Sequence, residues 1–274
     1  MIMFKKLIVA SLAILSSVIV LTGCDNAKKE NQITVGVAAG PYGDMFKQAI
    51  APGLEKKGYQ VEIREFSDYV QPNLALANKE IDVNLFQHLT YLNNFKQARN
   101  LDITAVGFVP TAGAGIYSNK ITDFSQLKQG DQVTIANDVT NEARALRILE
   151  AAGLIKLDPN VDKNNLTPNN VIENRYGLNI VPIEAPQTPR SLDSAVLSVV
   201  NGNYAIGAGL DLSKALYQEV LDKDLKNVIA IRSESKDKLG KDIIDVLKSP
   251  EFAQVINDKN GIFYTFQKPD YQLF

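Results

Sequence analysis

Residues 33–66, ITVGVAAGPYGDMFKQAIAPGLEKKGYQVEIREF, decide the fold class. The β-branched run at 33–39 predicts a buried strand. Residues 42–57 carry apolar side chains at helical spacing and predict a helix, and 59–66 alternate as a second strand. A strand, a helix and a strand in this order indicate a parallel sheet covered by helices.

The same alternation continues to the end of the chain. Further strands are predicted at 81–86, 103–109, 132–136, 178–183, 204–208 and 227–232, and helices at 69–78, 88–99, 141–152, 192–201, 242–248 and 251–258. The small residues of 109–115 indicate a crossover between two blocks. We therefore predict a two-lobed α/β fold with a ligand cleft, in which lobe I comprises 33–110 plus 226–274 and lobe II comprises 111–225.

The N-terminus predicts export. Lys5 and Lys6 precede an apolar run at 7–21, which is shorter than the roughly 20 residues of a membrane-spanning helix. This run has the length of a secretory signal, and small residues follow it. Residues 1–23 are therefore predicted to be a lipoprotein signal peptide, Cys24 the acylated residue that carries lipid such as palmitate, and 24–32 a tether.

Composition narrows the class of protein. The chain is 45% hydrophobic and 22% charged, as globular proteins are. Its only cysteine is Cys24, so the folded part has no disulfide and depends on core burial. The net charge of −2 and the lack of a basic block argue against nucleic-acid binding. No phosphate-binding glycine loop occurs, and no cofactor is predicted.

Candidate site residues lie next to predicted strands, where open α/β sheets bind ligands. One block supplies aromatic and imidazole groups, and the other supplies amides and a guanidinium. They are Tyr69, Phe86, His88, Tyr91, Asn141, Arg144 and Asn201.

This mixture suits an amino acid. Its carboxylate fits the fork of an Arg, and its ammonium group needs acceptors such as an Asn oxygen. An apolar side chain needs aromatic walls, and a thioether packs well on ring edges. Each residue taken alone also has an ordinary structural role, since His88 can cap a helix and the aromatic side chains can belong to the core.

Four segments resemble the NlpA lipoproteins, the methionine-binding lipoproteins of ABC importers. They read FSDYVQPN at 66–73, IDVNLFQH at 81–88, NDVTNEAR at 137–144 and EAPQTPRSLD at 184–193. The resemblance extends from about Ile33 to the C-terminus. It implies a periplasmic-binding fold, capture of L- or D-methionine between the lobes, and partnership with a permease and a separate ATPase.

The resemblance also implies a role for each candidate. Arg144 would bind the ligand carboxylate, Asn141 and Asn201 its polar end, and Tyr69, Phe86, His88 and Tyr91 the pocket wall. The implied protein is a monomer on the extracytoplasmic face of the cell membrane, held there by its lipid. Where relatives carry bulk, residues 110–117 read PTAGAGIY, which predicts a roomier pocket for another amino acid or a short methionine-containing peptide.

Three other functions compete with this interpretation. An enzyme is not expected, because the one Cys is used at the anchor and no Gly-x-Ser-x-Gly motif occurs elsewhere in the chain to serve the one His; a Ser-His pair formed only in three dimensions is the open alternative. A zinc or manganese receptor needs several converging His or carboxylate ligands, so the single His disfavours a zinc site; a site made of carboxylates alone is the open alternative, and no metal is predicted. A surface adhesin or structural lipoprotein remains an alternative, and it would lack a deep cleft.

Overall fold

The computed structural model describes residues 31–270. The predicted signal peptide, most of the tether and Cys24 lie outside the described residues. Within residues 31–270, no helix has the length and apolar character that crossing a membrane requires.

Twelve strands are present in the described chain: β1 Gln32–Ala38, β2 Gln60–Phe66, β3 Val83–His88, β4 Ile103–Phe108, β5 Gly115–Tyr117, β6 Gln132–Ala136, β7 Ile155–Leu157, β8 Val171–Asn174, β9 Asn179–Ile183, β10 Leu197–Val200, β11 Tyr217–Gln218 and β12 Asn227–Arg232. The α-helices of the same region are α1 Tyr42–Met45, α2 Ala51–Lys56, α3 Gln71–Ala77, α4 Leu89–Arg99, α5 Val139–Ala151, α6 Gly202–Gly207, α7 Lys241–Leu247 and α8 Pro250–Ile256. A π-helical segment, Phe46–Ile50, joins α1 to α2, and a second, Lys236–Gly240, precedes α7.

The first sheet has the strand order β2-β1-β3-β12-β4. Strand β1 runs parallel to β2 and β3, as the sequence predicts. Strand β12 lies antiparallel between β3 and β4, so the chain returns to this sheet after building the second one. This return places the C-terminal helices on the first sheet.

The second sheet has the order β11-β5-β10-β6-β9. Strand β6 is parallel to β9 and β10, whereas β5 is antiparallel to β10. The predicted α/β class is confirmed. The strands of the first sheet come from 32–108 and 227–232, and those of the second from 115–218. The predicted lobe boundaries near 110 and 226 stay a prediction.

Each sheet has its own apolar core. One cluster packs β1 and β3 against the first helix and α7, with Phe46 and Leu54 fully buried. Another packs the second sheet against α5, with Leu146 and Leu149 at its centre. A third cluster is largely aromatic and takes residues from both sheets, which makes it the place where the two halves of the protein meet.

Two predicted elements are wrong. The predicted helix at 192–201 contains β10, and the predicted strand at 204–208 lies largely within α6. Strand β10 is buried along its whole length, so its sequence has no period-2 alternation that would distinguish it from a helix. Helix α6 likewise shows no helical period in its sequence, because it is short and its residues Tyr204 and Ala205 belong to the shared aromatic cluster.

Two crossover segments connect the sheets: residues 109–114 between β4 and β5, and residues 219–226 between β11 and β12. The two segments are bonded to each other and to Gln267. Thr111 and Gln267 exchange backbone hydrogen bonds of 3.0 and 2.9 Å. The Gln267 side chain donates to the carbonyl of Glu219 at 2.7 Å and accepts from the amide of Leu221 at 2.8 Å. Gln267 thus holds both crossover segments side by side, the first through its backbone and the second through its side chain.

Glycine at position 202 is required by close backbone approach. A Cβ atom there would lie 2.5 Å from the carbonyl oxygen of Ala112 and 2.6 Å from that of Gly113. Gly207, in the same helix, is different, because a Cβ at that position would meet its nearest neighbour at 3.5 Å. The start of α6 therefore packs directly on the first crossover segment.

Gly202→Ala is expected to lower the free energy of unfolding by about 1–3 kcal/mol, because the added methyl group must displace backbone rather than a mobile side chain. Denaturant unfolding measures the change. Gly207→Ala is the matched control and should leave stability within about 0.5 kcal/mol of wild type or raise it. Equal losses in both variants would contradict this account.

Candidate functional site

A cavity with an empty volume of about 310 Å³ lies between the two sheets. All seven predicted site residues line it. The structure adds six lining residues that the sequence analysis did not select: Tyr42, Gln87, Ala112, Gly202, Asn203 and Asn227. Tyr42 follows β1 and Asn203 follows β10, so both obey the strand-end rule by which the other residues were found.

Part of the cavity wall is aromatic. The Tyr69 ring lies 5.7 Å from the Phe86 ring and 5.9 Å from the Tyr91 ring, measured between centroids. Tyr204 stacks on Tyr69 at 4.9 Å. These rings are buried, and the Tyr91 hydroxyl donates to the carbonyl of Tyr69 at 3.0 Å, which fixes the wall.

Another part of the wall is formed by Arg144, which belongs to a buried ion pair. Arg144 lies on α5, and its Nε donates to Glu219 Oε1 at 2.9 Å while its Nη2 donates to Glu219 Oε2 at 2.6 Å. Both side chains are under 8% exposed. Burial acts to lower the pKa of Arg144, but the charge and hydrogen bonds of Glu219 more than offset it and hold that pKa above its ordinary value.

The remaining edge of the guanidinium is available to a ligand. Glu219 occupies Nε and Nη2, and within residues 31–270 no hydrogen bond engages Nη1. Arg144 lines the cavity, whereas Glu219 does not. The guanidinium therefore presents N–H donors to the cavity while a carboxylate holds it from behind.

His88 has two roles at once. Its Nδ1 accepts the amide N–H of Tyr91 at 3.0 Å, so it caps helix α4. Since Nδ1 is an acceptor, the proton lies on Nε2, which donates to Asn141 Oδ1 at 3.2 Å. Burial, and after it the charge of Arg144, lowers the pKa of His88 to about 3, although the bond with Asn141 opposes the shift.

Asn141 is the centre of the amide group. Its Nδ2 donates to both oxygens of Asp138, each at 3.0 Å, and Asp138 caps α5 by accepting the backbone N–H of Asn141. Its Oδ1 accepts from His88 and also from Asn201 Nδ2 at 2.8 Å. The cap thus orients an amide that joins the two halves of the cavity wall.

A buried amide network supports the strand that carries Phe86 and His88. Asn73 Nδ2 donates to Gln87 Oε1 at 2.7 Å, and Gln87 Nε2 donates to Asn73 Oδ1 at 2.7 Å. Asn84 joins the network by donating to Asn73 Oδ1 at 2.9 Å. Each of these buried amides finds hydrogen-bond partners within the network. Because moving one side chain would break those bonds, the network fixes the end of β3.

Hydrogen bonds across the cavity link its two halves. Tyr69 donates from its hydroxyl to Asn203 Oδ1 at 2.6 Å, and Asn203 Nδ2 donates to the carbonyl of Ala39 at 3.0 Å. Together with the bond between His88 and Asn141, these contacts hold the two halves close. The arrangement is that of a cleft closed around a small space.

The small residues of the first crossover contribute little of the lining of this cavity, and the roomier pocket stays a prediction. Only Ala112 of this group lines the cavity. A Cβ on Gly113 would meet Gln267 Nε2 at 2.9 Å and Glu219 O at 3.2 Å, so this glycine allows the crossover segments to approach each other. Ala114 is buried in the core of the second sheet.

Within residues 31–270, no group of three or more His, Cys, Asp or Glu side chains is placed to hold a metal ion. The only cavity-lining side chain with a full charge in that part of the chain is Arg144, since His88 is neutral. The site therefore has the chemistry of a pocket for a small organic acid with an apolar end.

The depressed pKa of His88 predicts a pH dependence of stability. As pH falls below 6.5, the unfolded chain binds a proton that the folded chain excludes, so stability present above pH 6.5 is lost toward pH 3. Between pH 6.5 and 4.5, wild type should lose about 2–3 kcal/mol more than His88→Gln, whose side chain does not titrate. Denaturant unfolding at both pH values measures the difference.

The chain has a single histidine, so its imidazole resonance in NMR spectra is unambiguous. The Cε1 shift should stay that of a neutral ring down to about pH 4. A midpoint near 6.5 would show that the ring is solvated and would contradict the buried capping role.

Comparisons with known proteins agree with this geometry. The D-methionine-binding lipoprotein MetQ of Salmonella typhi is 39% identical over 264 residues, which cover 93% of this chain and 95% of that protein. The solved structure of a nutrient binding protein from Burkholderia cenocepacia bound to methionine has a TM-score of 0.77 and 36% identity, covering 82% of this chain and 95% of that one.

A periplasmic substrate-binding protein of an ABC transporter from Coxiella burnetii has a TM-score of 0.75 and 38% identity, again covering 82% of this chain and 95% of that one. These likenesses confirm the predicted two-lobed periplasmic-binding fold. The model of the NlpA lipoprotein family matches residues 33–265. The protein thus belongs to the NlpA lipoprotein family.

Proposed function

We propose that this protein is a lipid-anchored receptor that captures methionine and delivers it to an ABC importer. The observation that carries the proposal is the cavity itself. Its wall combines a guanidinium that has unused N–H donors with three aromatic rings. An amino acid with an apolar side chain matches both kinds of lining.

The polar end suits the ligand's backbone groups. A carboxylate would take the Nη1 edge of Arg144, the strongest kind of hydrogen bond that the cavity offers. The ammonium group would donate to Asn201 Oδ1, and Asn141, whose Oδ1 already accepts from His88 and Asn201, would hold that amide in place. Tyr69, Phe86, His88 and Tyr91 would enclose the side chain, and ring edges favour a thioether over a simple alkyl group.

The named relatives make methionine the favoured ligand. The Salmonella typhi relative is a D-methionine-binding lipoprotein, and the Burkholderia cenocepacia structure holds methionine. Neither enantiomer is selected by these features.

The transport role follows from the family and from the predicted anchor. The receptor is proposed to act as a monomer on the extracytoplasmic face of the membrane, held by acyl chains on Cys24. Closure of the cleft would mark the loaded state that a permease recognises, and a separate ATPase would drive import. No catalytic step is part of this function.

Methionine should stabilise the mature domain lacking Cys24. At 100 times its dissociation constant, a ligand that binds only the folded state adds about 2.7 kcal/mol to the unfolding free energy. A thermal-shift assay after unfolding and refolding, which removes carried ligand, measures this. Arg144→Ala should lose the shift, because a desolvated carboxylate contact is worth about 2–5 kcal/mol.

Arg144→Ala also leaves Glu219 buried without its partner, so the variant itself is expected to be less stable. The ligand-induced increment, not the absolute melting temperature, is therefore the quantity to compare. Arg147→Ala is the matched control, since Arg147 lies one turn further along α5 and pairs with Asp222 outside the cavity. It should keep the full shift, and a full shift in Arg144→Ala would refute the assignment.

The anchor is tested separately. Cells that express the full chain are fed an alkyne analogue of palmitate. The wild-type protein should become labelled, whereas Cys24→Ser should stay unlabelled and be released from the membrane fraction. Asn26→Ser, two residues further on, should behave as wild type. Equal labelling of Cys24→Ser would reject Cys24 as the acylated residue.

A further inference from the structure

Glu219 lies on the segment that returns from the second sheet to the first. Its carboxylate accepts from Arg144 Nε and Nη2, and its Oε2 also accepts the backbone N–H of Ala114 at 2.9 Å. The side chain is buried and lies behind Arg144, outside the cavity. Its bonds therefore act on a ligand only through the guanidinium.

The crossover segments hold Glu219 in place independently of any ligand. Its backbone N–H donates to the carbonyl of Ala114 at 3.0 Å, and its own carbonyl accepts from Gln267 Nε2 at 2.7 Å. Gly113 has no side chain to obstruct this contact. The Glu219 carboxylate is thus a negative charge that the crossover segments hold in a fixed position beside Arg144.

The charges at this end do not favour a bare anion. Arg144 and Glu219 together sum to zero. Asp138 adds a carboxylate behind Asn141, where burial raises its pKa and hydrogen bonds from Asn141 oppose the rise. No carboxylate among the described residues lines the cavity itself. A ligand with only a carboxylate would add a negative charge close to Glu219 in a poorly solvated site.

A zwitterion avoids this penalty, because its ammonium group lies next to its carboxylate. The cavity has an acceptor for that group. Asn201 lines the cavity, and its Oδ1 accepts no hydrogen bond from residues 31–270, while its Nδ2 is used by Asn141. The ammonium group of the ligand would supply a positive charge next to the ligand carboxylate, because the charge of Arg144 is already neutralised by Glu219.

Resting on the proposed function, we infer that Glu219 is a positioning and specificity-determining residue that restricts the cavity to zwitterionic amino acids. It fixes the Nη1 edge of Arg144 toward the ligand, and it neutralises the guanidinium so that deaminated acids are rejected. The binding energy of the carboxylate is thereby made conditional on the neighbouring ammonium group.

Isothermal titration of the mature domain tests the inference with two ligands. One is methionine, and the other is 4-(methylsulfanyl)butanoate, which keeps the thioether and carboxylate but lacks the ammonium group. In Glu219→Gln, the ratio of the analogue's Kd to that of methionine should fall by about tenfold or more, since one buried negative charge is removed. Asp222→Asn, which removes the acid paired with exposed Arg147, should leave the ratio unchanged.

Glu219→Asp separates charge from packing and is also the variant to use if the Gln form does not fold. It keeps the negative charge, so the ratio should stay near wild type even if both affinities fall. An unchanged ratio in folded Glu219→Gln, or a tenfold fall in Glu219→Asp, overturns the inference and leaves the proposed function intact. A wild-type protein that binds neither compound overturns the proposed function and the inference together.

Discussion

The buried ion pair between Arg144 and Glu219 is the interaction on which the polar half of the cavity depends. A guanidinium removed from water needs a compensating charge, and Glu219 supplies it with two-point geometry. Because Glu219 belongs to a crossover segment and Arg144 to α5, the pair also joins the second lobe to that crossover segment. The rest of the cavity is arranged around the one guanidinium edge that this pair leaves uncovered.

Neutral hydrogen bonds do the remaining positioning. Asp138 orients Asn141, Asn141 accepts from His88 and Asn201, and His88 caps α4. Asp138, Asn141 and His88 each have two or more hydrogen-bonding contacts, so none of these three side chains can rotate alone. Such a network favours one geometry in a low-dielectric site, where an unsatisfied amide is expensive. The aromatic wall completes the cavity without any charge.

The crossover segments are held in place by close packing and by hydrogen bonds. Gly113 and Gly202 permit backbone contacts that a side chain would prevent, and Gln267 bonds both segments. A cleft that opens and closes needs such segments to be short and fixed at their ends. Gly113 therefore serves the packing of the crossover segments, whereas Ala112 lines the cavity and Ala114 is buried in the core of the second sheet, and such packing is invisible in composition.

The sequence by itself determined the α/β class, the order of most elements and all seven side chains that the structure places around one cavity. It did so because strand ends converge at the edges of sheets, and residues directly after strands can be found from local periodicity. Sequence could not distinguish β10 from a helix or α6 from a strand, since β10 has four residues, all buried, and α6 has six residues, of which four are buried, and neither is long enough to show a period.

Only the tertiary structure decided the partners. Glu219 lies 75 positions from Arg144, Asn203 lies 134 from Tyr69, and Gln267 lies 48 from Glu219, so no local pattern links them. The insertion of β12 between β3 and β4 brings these distant segments together. Periodicity reports which face of an element is buried, whereas the identity of the group that meets it is set by how the chain returns through the sheet.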